Sequence, residues 1–201
     1  MTTGHRTPPE LTVVVLAWDG VEHTRSCVDS LRRHTDVPWE LVVVDNGSGP
    51  EARRYAEEVA DVAVLNDRNL GFAAGHNAGL EVAGAPVIAF CNNDIRVPPR
   101  WASTLLDTLA AHPSAGIVVP AVTAAANQRT VRRAPGEAVE LLDPYEPPPS
   151  AVCHVMPTSV AVGLGGWGEE YPVASAEDLD MAFKVWVNGL DVVHDPRVLL
   201  H

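Results

Sequence analysis

Residues 11–17 read LTVVVLA and residues 39–45 read WELVVVD, two unbroken apolar, β-branched runs separated by a stretch of helical length. A strand with one wet face alternates apolar and polar residues. A run without alternation belongs to a strand buried on both faces, as in parallel sheets covered by helices. Between the two runs, Val21, Cys27 and Leu31 recur with helical spacing over residues 21–34. The same order then repeats. The pattern predicts a polar helix over 51–59, a strand over 62–66, a small-residue helix over 72–83 and a strand over 86–91. An amphipathic helix over 101–112 and a strand over 116–120 follow. Strands alternating with helices in this way imply βαβ units, right-handed crossovers and an α/β, Rossmann-like fold with a mostly parallel central sheet.

The periodicity stops at residue 121. Residues 121–151 hold Arg129, Arg132 and Arg133 and then DPYEPPPS, whose prolines exclude regular structure, so this stretch is expected to be a loop. Order is expected again over 152–165, in a helix over 177–188, and in a short strand over 191–194. Residues 1–9 read as a disordered lead-in to a single domain over 10–201. The domain is expected to change character near residue 120, with a regular βαβ half over about 10–120 and a less regular half over about 121–201. The N-terminus has no apolar signal-peptide core, and no apolar run approaches the ~20 residues that cross a bilayer.

Charge narrows the function classes. With 26 acidic against 14 basic residues the chain carries −12, which argues against nucleic-acid or anionic-membrane partners. An acidic chain that handles phosphates needs a cation or backbone N–H groups. Cys27, Cys91 and Cys153 lie far apart without a CxxC pair, so neither a zinc ribbon nor a disulfide framework is indicated, and a reducing, cytoplasmic location fits.

In doubly wound sheets ligands bind beyond the carboxyl ends of the strands, where strand order reverses. Trp18 and Asp19 follow the first run, Asp45, Asn46, Gly47 and Ser48 close the second, and Asn92, Asn93 and Asp94 close the fourth. Each group alone reads equally as a turn or a helix cap. Together they converge on one crevice. Neither GxGxxG nor a Walker A loop follows the first strand, where the chain reads AWDGVEHT, so nicotinamide and P-loop chemistry are disfavoured. Gly71, Gly75 and Gly79 keep one helix face bare, for close packing or for a diphosphate at the helix N-terminus beside Asn69 and Asn77. A carboxylate at Asp94 suits a hard cation such as Mg2+ or Mn2+ shared with substrate phosphates. Glu177, Asp178 and Asp180 place three acids at the start of the late helix, either as dipole complements or for acid–base work.

The blocks VVDNGS (43–48), NLGFAAGHNAGL (69–80), FCNND (90–94), GLGGWGEEY (163–171), EDLDMAFKVWVNG (177–189) and DPRVLLH (195–201) occur in one order. In that order they resemble the family 2 glycosyltransferases, most closely the rhamnosyltransferase-like branch, over roughly residues 11–201. The resemblance implies a GT-A fold and inverting transfer of a sugar from a UDP-, dTDP- or GDP-sugar to a hydroxyl-bearing acceptor (glycan, lipid-linked or small molecule). A non-catalytic or partner-dependent nucleotide-binding module of the same fold is the alternative. It further implies that Asp45 contacts the base with Trp18 and Asp19 beside it, and that Asn92 and Asp94 are the ends of a DxD-like motif. Asp94 would be the metal ligand, His201 a second one, and Asp178, next to Glu177, the general base. Asn92 stands for the motif's first aspartate, and Lys184 stands where the family usually has Arg. Many relatives continue past this point with C-terminal helices.

Overall fold

The apolar runs are continuous because each strand is covered twice. In β1 (Leu11–Ala17), Val13 and Val15 face one core layer and Val14 faces the other, and all three are wholly buried. β2 (Trp39–Asp45) repeats the division with Leu41 and Val43 against Val42 and Val44. α1 (Val21–His34) and α4 (Trp101–Ala111) supply Cys27, Val28, Leu31, Trp101 and Leu105 to the first layer. α3 (Phe72–Leu80) and α6 (Glu177–Val187) supply Ala73, Met181, Ala182 and Val185 to the second. The computed structural model describes residues 7–123, 138–144, 152–170 and 176–201.

The remaining elements are α2 (Pro50–Val59), β3 (Val62–Leu65), β4 (Val87–Asn92), β5 (Ala115–Val122), β6 (Glu140–Leu141), β7 (Cys153–Pro157), α5 (Thr158–Gly163) and β8 (Asp191–Leu200). Among the described residues they form one sheet of order β3-β2-β1-β4-β7-β5-β8-β6. β3, β2, β1 and β4 are mutually parallel. β7 runs antiparallel to both β4 and β5, β8 is parallel to β5, and β6 is antiparallel to β8. The chain leaves β1 toward β2 and β3, then returns to lay β4 on the other side. That reversal opens a crevice at the carboxyl ends of β1 and β4.

The small residues of α3 prove to be a packing device first. A Cβ at Gly79 would lie 2.3 Å from Val14 Cγ1, and one at Gly75 2.5 Å from Leu16 Cδ1. Only glycine lets this helix approach the sheet so closely.

Three expectations need correction. The helix expected over 72–83 ends at Leu80, and the chain turns where Val82 and Ala83 donate to the Gly79 and Leu80 carbonyls. The span 121–151 is not wholly loop, since β5 reaches Val122 and β6 pairs Glu140 with His194. Arg129, Arg132, Arg133 and Pro147–Pro149 lie outside the described residues. The last strand extends through the DPRVLL segment to Leu200 rather than ending at His194, with a register shift opposite Pro120. The shift is held by buried Asp195, which accepts hydrogen bonds from the Arg197 guanidinium at 2.7 and 2.8 Å and from Thr108 Oγ1 at 2.6 Å. Such irregularities accommodate proline within a sheet.

Candidate active site

A cleft of about 640 Å3 opens where β1, β2 and β4 end, within the range of small-molecule sites. It brings together Trp18, Asn69, Gly71, Asn92, Asn93 and Asp94, with Leu16, Leu70 and Phe72 as its apolar lining. Trp18 is 60% exposed, a large apolar surface presented rather than buried.

Asn46, expected at the crevice only as one of the residues closing β2 and given no role of its own, also lines the cleft. It is buried, with its amide saturated. Nδ2 donates to Asn69 Oδ1 (2.9 Å) and to the Gly71 carbonyl (3.0 Å), while Oδ1 accepts from the Leu70 N–H (3.0 Å) and Asn66 Nδ2 (3.1 Å). One side chain thus shapes the whole 66–71 wall. The signal was its place directly after the Asp45 carboxylate, but its partners lie twenty or more residues on and leave no local pattern.

Other expected residues stand behind the lining. Asp19, at φ 50°, donates its N–H to Ser48 Oγ (2.8 Å) and accepts the Gly49 N–H (2.9 Å), clamping the loop after β1 to the loop after β2. Asp45 is 1% exposed, and its charge is answered by Arg53 at 3.7 Å. Its Oδ1 accepts the Ser48 N–H (3.3 Å), whereas buried Oδ2 has no hydrogen-bond partner among the described residues. Gly75 backs onto Leu16 and Asn46. Asn77 binds the turn that includes Trp167 and Glu169.

Asp94 is the one ionisable side chain among the described lining residues, which include no lysine or arginine. Beside it stand the amides of Asn92 and Asn93, and Asn93 Nδ2 donates to Thr24 Oγ1 (2.9 Å). Among the described residues no three His, Cys, Asp or Glu side chains gather as a metal cage. One carboxylate plus amide oxygens is a hard-donor set of the kind that shares Mg2+ or Mn2+ with substrate phosphates. His201 follows β8, the strand next to the edge of the sheet, and its backbone exchanges hydrogen bonds with Arg96 in both directions, at 2.6 and 3.0 Å, two residues beyond Asp94.

The acidic helix start lies on α6. Glu177 is 5% exposed and accepts the Ala176 N–H at 3.0 Å. Asp178 is half-buried, and its Oδ1 accepts the N–H of the next residue. Asp180 pairs with Lys184 at 3.1 Å.

Comparison with known proteins decides the family. A model described as glycosyl transferase family 2 matches residues 12–154. The chain belongs to this family. Among curated relatives it is 32% identical over 121 residues to the glucosyl-dolichyl phosphate glucuronosyltransferase of Haloferax volcanii, covering 55% of this chain and 39% of that one. It is 30% identical over 104 residues to Bacillus subtilis EpsH, named a putative glycosyltransferase, covering 50% and 30%. The matches thus span well under half the length of these relatives. Solved structures share the GT-A fold of the family 2 domain at low identity. Staphylococcus aureus TarS in complex with UDP-GlcNAc superposes at TM-score 0.77 with 16% identity, over 94% of this chain and 58% of that one. Pyrobaculum calidifontis mannosyltransferase PcManGT in complex with GDP-Man and Mn2+ superposes at TM-score 0.73 with 20% identity, over 96% and 56%. No helix among the described residues of this family 2 domain is long and apolar enough to cross a membrane.

Proposed function

We propose that this domain transfers a sugar, with inversion, from a nucleoside-diphosphate donor to an acceptor hydroxyl, in the manner of the rhamnosyltransferase-like branch. The observation that carries the reading is the charge of the cleft. It is built at the strand ends where this fold binds ligands, and its described lining offers a doubly charged leaving group no basic side chain, only Asp94 and amides. A divalent cation therefore has a reason to be there. Asp94 would hold Mn2+ or Mg2+, with the Asn92 and Asn93 amides beside it and His201 approaching from β8, and the bound ion would offset the negative charge of the diphosphate. Relatives in complex with UDP-GlcNAc and with GDP-Man and Mn2+ support such a donor and such an ion.

The chain's own residues have separate tasks. Trp18 offers an exposed face against which a nucleobase stacks. Asp45, whose buried Oδ2 has no hydrogen-bond partner among the described residues, accepts from a base or ribose donor. The wall fixed by Asn46 presents Asn69 and Gly71 to the donor. Asp178, in the first turn of α6 and unpaired with any cation among the described residues, takes the proton from the acceptor hydroxyl as it attacks the anomeric carbon. The three free buried cysteines suit a reducing, cytoplasmic setting.

The test is calorimetric binding of UDP, dTDP and GDP, each with and without Mn2+, to the wild-type chain and to Asp94→Ala. One nucleoside diphosphate should bind the wild type with a strong dependence on Mn2+, and that dependence should vanish in Asp94→Ala. Metal-independent binding, or unchanged Mn2+ dependence in the variant, would refute the assignment of Asp94.

A further inference from the structure

A glycine-flanked turn joins the cleft wall to the helix of the proposed base, and two side chains hold it from opposite sides. Trp167, at its centre, is buried between the His76 and His154 rings at 5.7 and 5.3 Å and meets the edges of Phe72 and Phe90. From the α3 side, Asn77 treats the Trp167 backbone as a strand partner would. Its Oδ1 accepts the Trp167 N–H at 2.8 Å, and its Nδ2 donates to the Trp167 carbonyl at 3.0 Å and to Glu169 Oε1 at 2.8 Å. From the α6 side, Lys184 Nζ donates to the Gly166 carbonyl at 3.1 Å while paired with Asp180 at 3.1 Å.

The glycines show how closely the three pieces are wedged. A Cβ at Gly166, where φ is +70°, would stand 2.4 Å from Asn77 Oδ1. One at Gly168 would stand 2.6 Å from Asp180 Oδ2. The turn therefore touches α3 on one side and α6 on the other without room for a methyl group on either. α3 begins at Phe72 in the cleft wall, and α6 begins at Glu177 and Asp178.

We infer that Asn77 and Lys184 are positioning residues that act through the Gly166–Gly168 turn to set the first turn of α6, with Asp178, against the donor cleft. Neither side chain touches the donor. The polar groups of Asn77 are engaged by Trp167 and Glu169, and the Lys184 ammonium, already answered by Asp180 and a carbonyl, is not the phosphate-holding cation that an arginine at this place would suggest. A general base displaced by a fraction of an ångström loses its near-attack geometry while the nucleotide site is untouched. This inference rests on the assignment of Asp178 as base.

The experiment uses Lys184→Met, Asn77→Ala, the double variant and Lys184→Arg, with two readouts. Amide hydrogen exchange should accelerate in residues 177–187 by about tenfold in each single variant, the size of one lost hydrogen bond to a charged group. It should be less than additive in the double variant and restored in Lys184→Arg, with exchange in β1 and β2 unchanged. Equal exchange in α6, or acceleration shared by the sheet, overturns the tie. Turnover is read as hydrolysis of the sugar nucleotide corresponding to whichever nucleoside diphosphate binds. The turnover number should fall roughly 10–100-fold, with nucleoside-diphosphate affinity in Mn2+ within about twofold of wild type. Weakened nucleotide binding with intact turnover would instead make Lys184 a donor ligand and overturn the inference. If the wild type binds no nucleoside diphosphate, the proposed function fails, and the exchange pattern still decides the tie.

Discussion

His76 makes this fold acid-sensitive in a way that can be calculated. It lies in α3, fully buried, ringed by Phe72, Phe90 and Trp167, with neither ring nitrogen hydrogen-bonded among the described residues. Burial, and secondarily the neighbouring His154 on β7, push its pKa from 6.5 down to about 3. The sign follows from where the proton binds. Between those values the unfolded chain takes up a proton that the folded chain refuses, so acid favours unfolding. The contribution to stability is whole above about pH 6.5 and is lost progressively as pH falls toward 3. The full shift corresponds to an upper bound of about 5 kcal/mol, at ~1.4 kcal/mol per pH unit. Between about pH 7 and pH 5 the linkage relation gives a loss of roughly 2 kcal/mol. For a chain of this size that lowers the melting temperature by about 4–8 °C. His76→Leu keeps the volume and removes the titration. Melting curves at both pH values, for wild type and variant, isolate the histidine because the carboxylates and other histidines are common to the two. The variant should lose most of that drop. An equal fall in melting temperature in both proteins would refute the reasoning.

Two further outcomes follow from the same geometry. Asp178→Asn should lower turnover by about 10²–10⁴-fold while nucleoside-diphosphate affinity stays at the wild-type value, and wild-type turnover in this variant would remove Asp178 from the mechanism. Gly79→Ala places a methyl 2.3 Å from Val14 Cγ1 and 3.1 Å from Val44 Cγ2, both on stiff β-branched side chains. Overpacking of roughly 1–3 kcal/mol outweighs the helix-propensity gain of about 1 kcal/mol, so a urea midpoint equal to or above wild type would show that the α3–sheet contact yields more easily than the structure implies.

Much of the cleft was legible before any coordinates. Trp18, Asn93 and Asp94 directly follow buried strands, Asn92 closes one, and Asn69 and Gly71 lead into a helix, so local pattern and the topology rule for parallel sheets sufficed to gather them. The small-residue spacing of α3 was legible but ambiguous. Gly75 and Gly79 could have faced a ligand or the sheet, and their distances to Leu16 and Val14 decide for the sheet. Asn46 and Asn77 look alike in sequence, yet one shapes the cleft wall and the other holds a turn ninety residues away.

By itself, the sequence determined the alternating strands and helices up to residue 120 and the late acidic helix, and which of those strands are covered on both faces, but not β6, β7, α5 or the full length of β8. Hydrophobic period and turn chemistry are local properties of a chain. Only the tertiary structure decided that β7 enters antiparallel between β4 and β5, that β8 carries His201 back beside Arg96, and that Trp167 stands between α3 and α6. Those outcomes depend on pairings between residues distant in the chain, whose energies come from packing and hydrogen bonds that no short window contains.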